Sequence, residues 1–244
     1  MSFNLPTETI ELPSKGLLYP EGHPLSEGTI EIKYMTAKEE DILTNQNYIS
    51  DGTVLDKLLK SLIITKFNYG DLIVGDKNAI MIASRILGYG AEYKFKYNGV
   101  EETVDLSKIN NKELDESLFT KGKNEFTFDL PASDNTITFK FLTHSDEVKI
   151  SQELDGIKKL KKNESPELTT RLKHMITSIN GDPEGKTIRE FVDQAFLARD
   201  ARAFREFIQK IQPDVDLTFF PSTSTKSATI PIGINFFWPD VKIG

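Results

Sequence analysis

Residues 30–40 read IEIKYMTAKEE and residues 137–147 read ITFKFLTHSDE, nearly the same phrase at an offset of 107. A repeated phrase constrains a fold more than composition does, because each copy must build the same local structure. Ile30 faces Ile137, Lys33 faces Lys140, Thr36 faces Thr143 and Glu40 faces Glu147. Between them, Ile32 matches Phe139, Tyr34 matches Phe141 and Glu39 matches Asp146. Apolar residues alternate from Ile30 to Met35, the period of a half-buried strand. A helix is expected to start at Thr36, and again at Thr143. The acid three residues on, Glu39 or Asp146, predicts a capping box in each copy, with Asp the shorter reach.

The likeness extends to both sides. IELP at 10–13 resembles FDLP at 128–131, LLKSLII at 58–64 resembles RLKHMIT at 171–177, and GDKNAIMIASRI at 75–86 resembles RDARAFREFIQK at 199–210. The last two pairs are expected to be helices, with Leu55, Leu59 and Leu62 on one apolar face and Leu197, Ala201, Phe204, Ile208 and Ile211 on another. Each copy then closes in a hairpin. EYKFKY and VEETVDL flank Asn98-Gly99, a strong type I′ signal because both central residues need positive φ. DLTFF and ATIPIGINFF flank the softer loop PSTSTKS. The predicted fold class is α+β: an internally duplicated unit of hairpin, helices and terminal hairpin. The first repeat is placed at 1–106, an exposed polar linker at 107–125, and the second repeat at 126–244.

Composition narrows the chemistry. The chain has 244 residues, 30 Lys and Arg against 37 Asp and Glu, and a formal charge of -7. Phosphate binding needs basic clusters, so nucleic acid is not an expected partner. No run approaches the roughly 20 apolar residues of a membrane span, so no membrane is expected either. With no cysteine in the sequence, disulfides, thiol nucleophiles and cysteine-ligated zinc are all excluded. The glycine-containing stretches GDLIVGDK and DPEGKT match no phosphate-binding pattern. His23, His144 and His174 have no second histidine at metal-ligand spacing. No cofactor is expected. The acid pairs Glu39-Glu40 and Asp146-Glu147 could do acid–base work. Both follow a helix start, however, where carboxylates are favoured by the helix dipole.

Two apolar phrases stand out in exposed-looking positions. Leu17, Leu18 and Tyr19 lie in the long loop that follows the first strand, and Phe236, Phe237 and Trp238 lie near the C-terminus. Neighbours on a strand point to opposite faces, so part of the second phrase is expected to face outward. These six residues are the candidate partner-binding residues, since large aromatics are favoured interface anchors.

Four phrases together resemble the baseplate hub assembly family of T-even-like contractile-tailed bacteriophages: ELPSKGLLYPEGHPL at 11–25, IEIKYMTAKEEDILT at 30–44, GDKNAIMIASRILGYG at 75–90 and IPIGINFFWPD at 230–240. The resemblance implies a non-enzymatic protein that helps build or forms part of the baseplate hub. Its partners would be other baseplate or hub proteins, with an oligomer open. Its place would be the virion tail baseplate, or the host cytoplasm during assembly. A transient assembly chaperone, absent from the mature virion, is the alternative; a hydrolase using an acidic cluster ranks last. The family's terminal hairpins often look like small zinc ribbons with Cys-x-x-Cys pairs. This chain departs there, with Asn98-Gly99 and PSTSTKS where cysteines would sit, so its hairpins are expected to be zinc-ribbon-like without metal.

Overall fold

The structure, a computed structural model, describes residues 5–160 and 166–237. β1 (Thr7–Glu11) and β2 (Thr29–Lys33) pair antiparallel, with Ile10 opposite Ile30. Three helices follow: α1 (Ala37–Thr44), α2 (Gln46–Ser50) and α3 (Val54–Leu62). The chain leaves α3 in extended backbone and Ile63 bridges back to Ile32 of β2. In the second half, β5 (Phe126–Asp129) and β6 (Thr136–Phe139) pair antiparallel, and α5 (His144–Leu160) and α6 (Glu167–Met175) follow. The chain leaves α6 in the same extended conformation, and Ile176 of β7 (Ile176–Ile179) pairs with Phe139 of β6. Ile32 and Phe139 are the matched residues of the repeated phrase, and both are fully buried.

The helix starts correspond in the same detail. The Glu39 carboxylate accepts from Thr36 N (3.0 Å), Thr36 Oγ (2.6 Å) and Lys33 Nζ (2.7 Å). The Asp146 carboxylate accepts from Thr143 N (3.0 Å), Thr143 Oγ (3.0 Å) and Lys140 Nζ (2.7 Å). A carboxylate at the third helical position satisfies donors that the helix itself leaves free. Both helices start at the same point of the phrase, at Ala37 and His144, so the shorter Asp146 sits at the same third helical position as Glu39.

α4 (Val74–Tyr89) and α8 (Ala198–Ile211) each bury an aspartate at their third residue. Asp76 Oδ1 accepts from Ser14 N at 2.9 Å, and Asp200 Oδ1 from Ala132 N at 2.7 Å. Ser14 and Ala132 both stand just after a Leu-Pro. The second half adds an aromatic centre, with Phe139 edge-on to Phe204 at 4.9 Å and Phe128 stacked on Phe207 at 4.8 Å.

β3 (Glu92–Tyr97) and β4 (Val100–Asp105) form the first terminal hairpin. Its turn has Asn98 at φ 49° and Gly99 at φ 82°, the type I′ geometry that the dipeptide predicts. The second terminal hairpin is far shorter than expected. β8 (Thr218–Phe219) and β9 (Ala228–Thr229) have two residues each. Pro221 follows β8 closely and Pro231 follows β9, and proline lacks the N–H that a ladder needs. The INFF phrase is α9 (Ile234–Phe237), a helical turn and not a strand. A further short helix, α7 (Gly185–Glu190), runs into a π-helical turn at Phe191–Ala195. The helix expected across RLKHMIT stops at Met175, and its last two residues begin β7.

The halves share one apolar core. Ile73 bridges Thr143, with His144 N donating to Leu72 O at 2.8 Å. Side chains along 107–125 are mostly exposed, yet the backbone is tied down. Lys112 N donates to Asp214 O (2.9 Å), Asp216 N to Asn110 O (2.8 Å) and Gly122 N to Leu17 O (2.7 Å). Gly75 sits so close to the second half that a Cβ there would lie 1.9 Å from Pro213 O.

Candidate functional site

Leu18 and Tyr19 are buried, at 3% and 2% exposure, so the loop that carries them faces inward. The cause is Asp76. Its carboxylate, fully buried at the start of α4, accepts from Tyr19 Oη (2.6 Å), Ser14 Oγ (2.7 Å) and Ser14 N. Tyr19 Oη in turn accepts from Ile73 N at 3.1 Å. Burial raises the Asp76 carboxyl to about 6, against the hydrogen bonds that favour its charged form. Burial and Asp76 together push the Tyr19 hydroxyl well above its ordinary range. Leu17 is half-buried. The expectation that this loop projects outward is therefore corrected: its apolar residues cover a polar clamp.

Phe236 and Phe237 are also buried, at 1% and 0%. A helical turn lets adjacent residues both reach the core, which a strand forbids. Phe236 packs edge-on against Tyr93 at 4.8 Å, and its carbonyl accepts from Arg85 Nε at 2.9 Å. Trp238 lies outside the described residues. The five described residues of the expected partner surface fall at two separate places, and Leu18, Tyr19, Phe236 and Phe237 are buried in this chain's own core.

The acid pairs are engaged as helix starts. Burial opposes ionisation of Glu39, yet donors from Lys33, Thr36 and Ser61 outweigh it and hold the group at about 2. Glu147 makes a two-pronged pair with Arg171, at 2.7 and 2.9 Å. At the junction of the halves, Asp56 accepts from Lys77 Nζ (2.6 Å) and Tyr69 Oη (3.1 Å), with His144 Nδ1 3.8 Å away. Burial lowers His144 from the usual histidine range. This cluster offers an acid, a base and a cation, but the ring of Tyr69 stacks edge-on over His144 at 4.6 Å and the Lys77 ammonium is bound to Asp56. It reads as a joint between α3, α4 and α5.

The surface opens where the two terminal hairpins meet. Phe95 lies edge-on to Phe219 at 5.1 Å, and Glu102 Oε1 accepts from Ser222 N (2.9 Å) and Oγ (2.8 Å). Beside this contact is a cleft of about 810 Å³ between the end of β4, the segment 108–113 and β8. Its apolar lining includes Val104, Ile109, Phe219 and Ile230. Phe220, next to it in sequence, is 73% exposed. A cleft of this size is in the range of binding sites. It is not legible in the sequence, because its lining comes from segments more than a hundred residues apart. The exposed Phe after a two-residue strand is the one local sign.

Compared with protein-family models, with curated proteins and with solved structures, the chain matches none. Among the described residues no helix is long and apolar enough to cross a membrane.

Proposed function

We propose that this chain is a non-enzymatic baseplate protein of a contractile-tailed bacteriophage, built by doubling one scaffold of hairpin, capped helix and further helices. It is made in the host cytoplasm and acts by binding other baseplate or hub proteins. The observation that carries this reading is that the phrases resembling the family hold one another in space. Ser14 and Tyr19 of the first phrase grip Asp76 of the third, and Arg85 of the third grips the Phe236 carbonyl of the fourth. The second phrase supplies the Thr36–Glu39 cap, which has its counterpart at Thr143–Asp146. Such mutual dependence is what a scaffold signature requires, and a catalytic motif would instead converge on a cleft. In this reading the terminal hairpins are zinc-ribbon-like elements without metal; what supports them is the type I′ turn at Asn98-Gly99 and the Phe95–Phe219 contact.

The test is deletion of the gene in a contractile-tailed phage that encodes it, with electron microscopy of the lysate and complementation in trans. The expected result is filled heads without tails, or baseplates arrested short of completion, restored by the intact gene. Normal yields of infectious particles with complete baseplates would contradict the proposal.

A further inference from the structure

We propose that the cleft between the terminal hairpins takes an extended, basic segment of a partner protein, which adds to β4 as a third strand. The β3–β4 ladder sets which backbone groups are free. Leu106 N donates to Ala91 O at 2.8 Å, and Tyr97 faces Val100 across the two-residue turn. In antiparallel alternation this directs the N–H and C=O of Val100, Glu102 and Val104 toward β3. The same groups of Glu101, Thr103 and Asp105 then point away from it. Among the described residues no other strand pairs with this edge. An open edge of this kind is a template for another strand.

The cleft makes that edge more than a bare one. Thr103, Val104 and Asp105 of β4 line it together with Thr218 and Phe219 of β8. Apolar side chains from Val104, Ile109, Phe219 and Ile230 line the space between. A strand laid there would place alternate side chains on that lining and the others toward solvent. The charge of the cleft selects the occupant. Glu92, Asp105, Glu113 and Asp216 line it against Lys108 and Lys112. Lys108 is already paired with Asp105 at 3.4 Å. Glu92 is paired with Lys94 at 3.2 Å, and Glu113 and Asp216 suit lysine or arginine on the outward positions, so the partner segment alternates apolar and basic residues. Main-chain bonds give such docking its affinity and the alternating side chains its choice of partner. The cleft holds this geometry whether or not the chain belongs to a phage tail.

The probe is a peptide of about six residues, matched to β4 at about 3.3 Å per residue, capped at both ends and alternating valine with lysine. Amide exchange by NMR reads the edge directly. The expected result is at least about tenfold slower exchange at Glu101, Thr103 and Asp105 on saturation. Thr103→Pro removes an outward N–H without breaking the ladder to β3, and should weaken binding about tenfold or more, while Thr103→Ala should stay within about twofold. The same peptide N-methylated at alternate residues, which loses its donors and keeps its charge, should not bind. That arm stands even if the proline variant fails to fold. Equal binding of the methylated peptide would overturn strand addition and leave only charge attraction. No protection at the β4 edge would overturn the site. Protection of the edge by dimerisation without peptide would overturn the partner segment in favour of a second copy of this chain.

Discussion

Replacing Glu39 by Gln should destabilise the protein strongly at neutral pH and hardly at all in acid. The carboxylate has no exposed surface and accepts from Lys33 Nζ, Thr36 N, Thr36 Oγ and Ser61 Oγ, at 2.6 to 3.0 Å. These donors outweigh burial and bring the group from 4.5 to about 2. At about 1.4 kcal/mol per unit of pKa, its charged form contributes on the order of 3 kcal/mol to the native state at pH 7. The folded value is depressed, so the contribution is present above pH 4.5 and is lost as pH falls toward 2. Gln keeps the shape and some hydrogen bonds but leaves Lys33 without its buried partner, which matters more than loss of a surface pair. Urea unfolding at pH 7 should place Glu39→Gln about 2–3 kcal/mol below the parent chain, and the gap should shrink steadily between pH 4.5 and 2.5. A gap below about 0.5 kcal/mol at pH 7 would lie in the range of ordinary surface substitutions and would refute the reasoning. So would a gap that stays constant with pH.

Other outcomes follow from the same geometry. Gly75→Ala should lower stability by several kcal/mol on denaturant unfolding, because overpacking alone costs roughly 1–3 kcal/mol and the obstacle here is the Pro213 carbonyl and not a flexible side chain. Phe204→Ala should cost about 3–5 kcal/mol in the same assay, since Phe204 is fully buried among Phe128, Phe139 and Phe196. The Asp76 carboxyl should titrate with a midpoint near 6 by carbon-13 NMR; a midpoint below 4.5 would contradict the buried clamp. Its folded value is raised from 3.8, so its contribution to stability is full below that pH and declines as pH rises through about 6.

Local signals carried far in this sequence. The Asn98-Gly99 turn, the two capped helix starts and the order of strands and helices around them all depend on residues within a few positions of each other. Signals failed where the partner is remote. Nothing near Tyr19 announces that Asp76 awaits its hydroxyl, so an apolar loop looks like a surface. Phe236 and Phe237 look like a strand because aromatic runs favour one, yet Pro231 and Gly233 precede them and the chain coils into α9. β7 escaped notice because Ile176 and Thr177 continue the apolar spacing of α6 into a β-branched stretch. The cleft was out of reach altogether, since β4 and β8 meet only after the whole chain has folded. The correspondence of Asp76 with Asp200 could have been read from the aligned phrases, where each stands second, but only burial reveals what the two carboxylates do. The match is incomplete: among the described residues Asp200 Oδ2 has no hydrogen-bond partner, as Ala132 stands where Ser14 provides a hydroxyl.

The account stands or falls on whether this chain belongs to a tail. Quantitative mass spectrometry of purified mature virions, beside purified baseplate intermediates from the same infection, asks that directly. The account predicts a fixed small copy number in the intermediates. Retention of that number in the virion would make the chain a structural subunit, and its loss would make it an assembly factor that is released. Absence from both preparations would contradict the account.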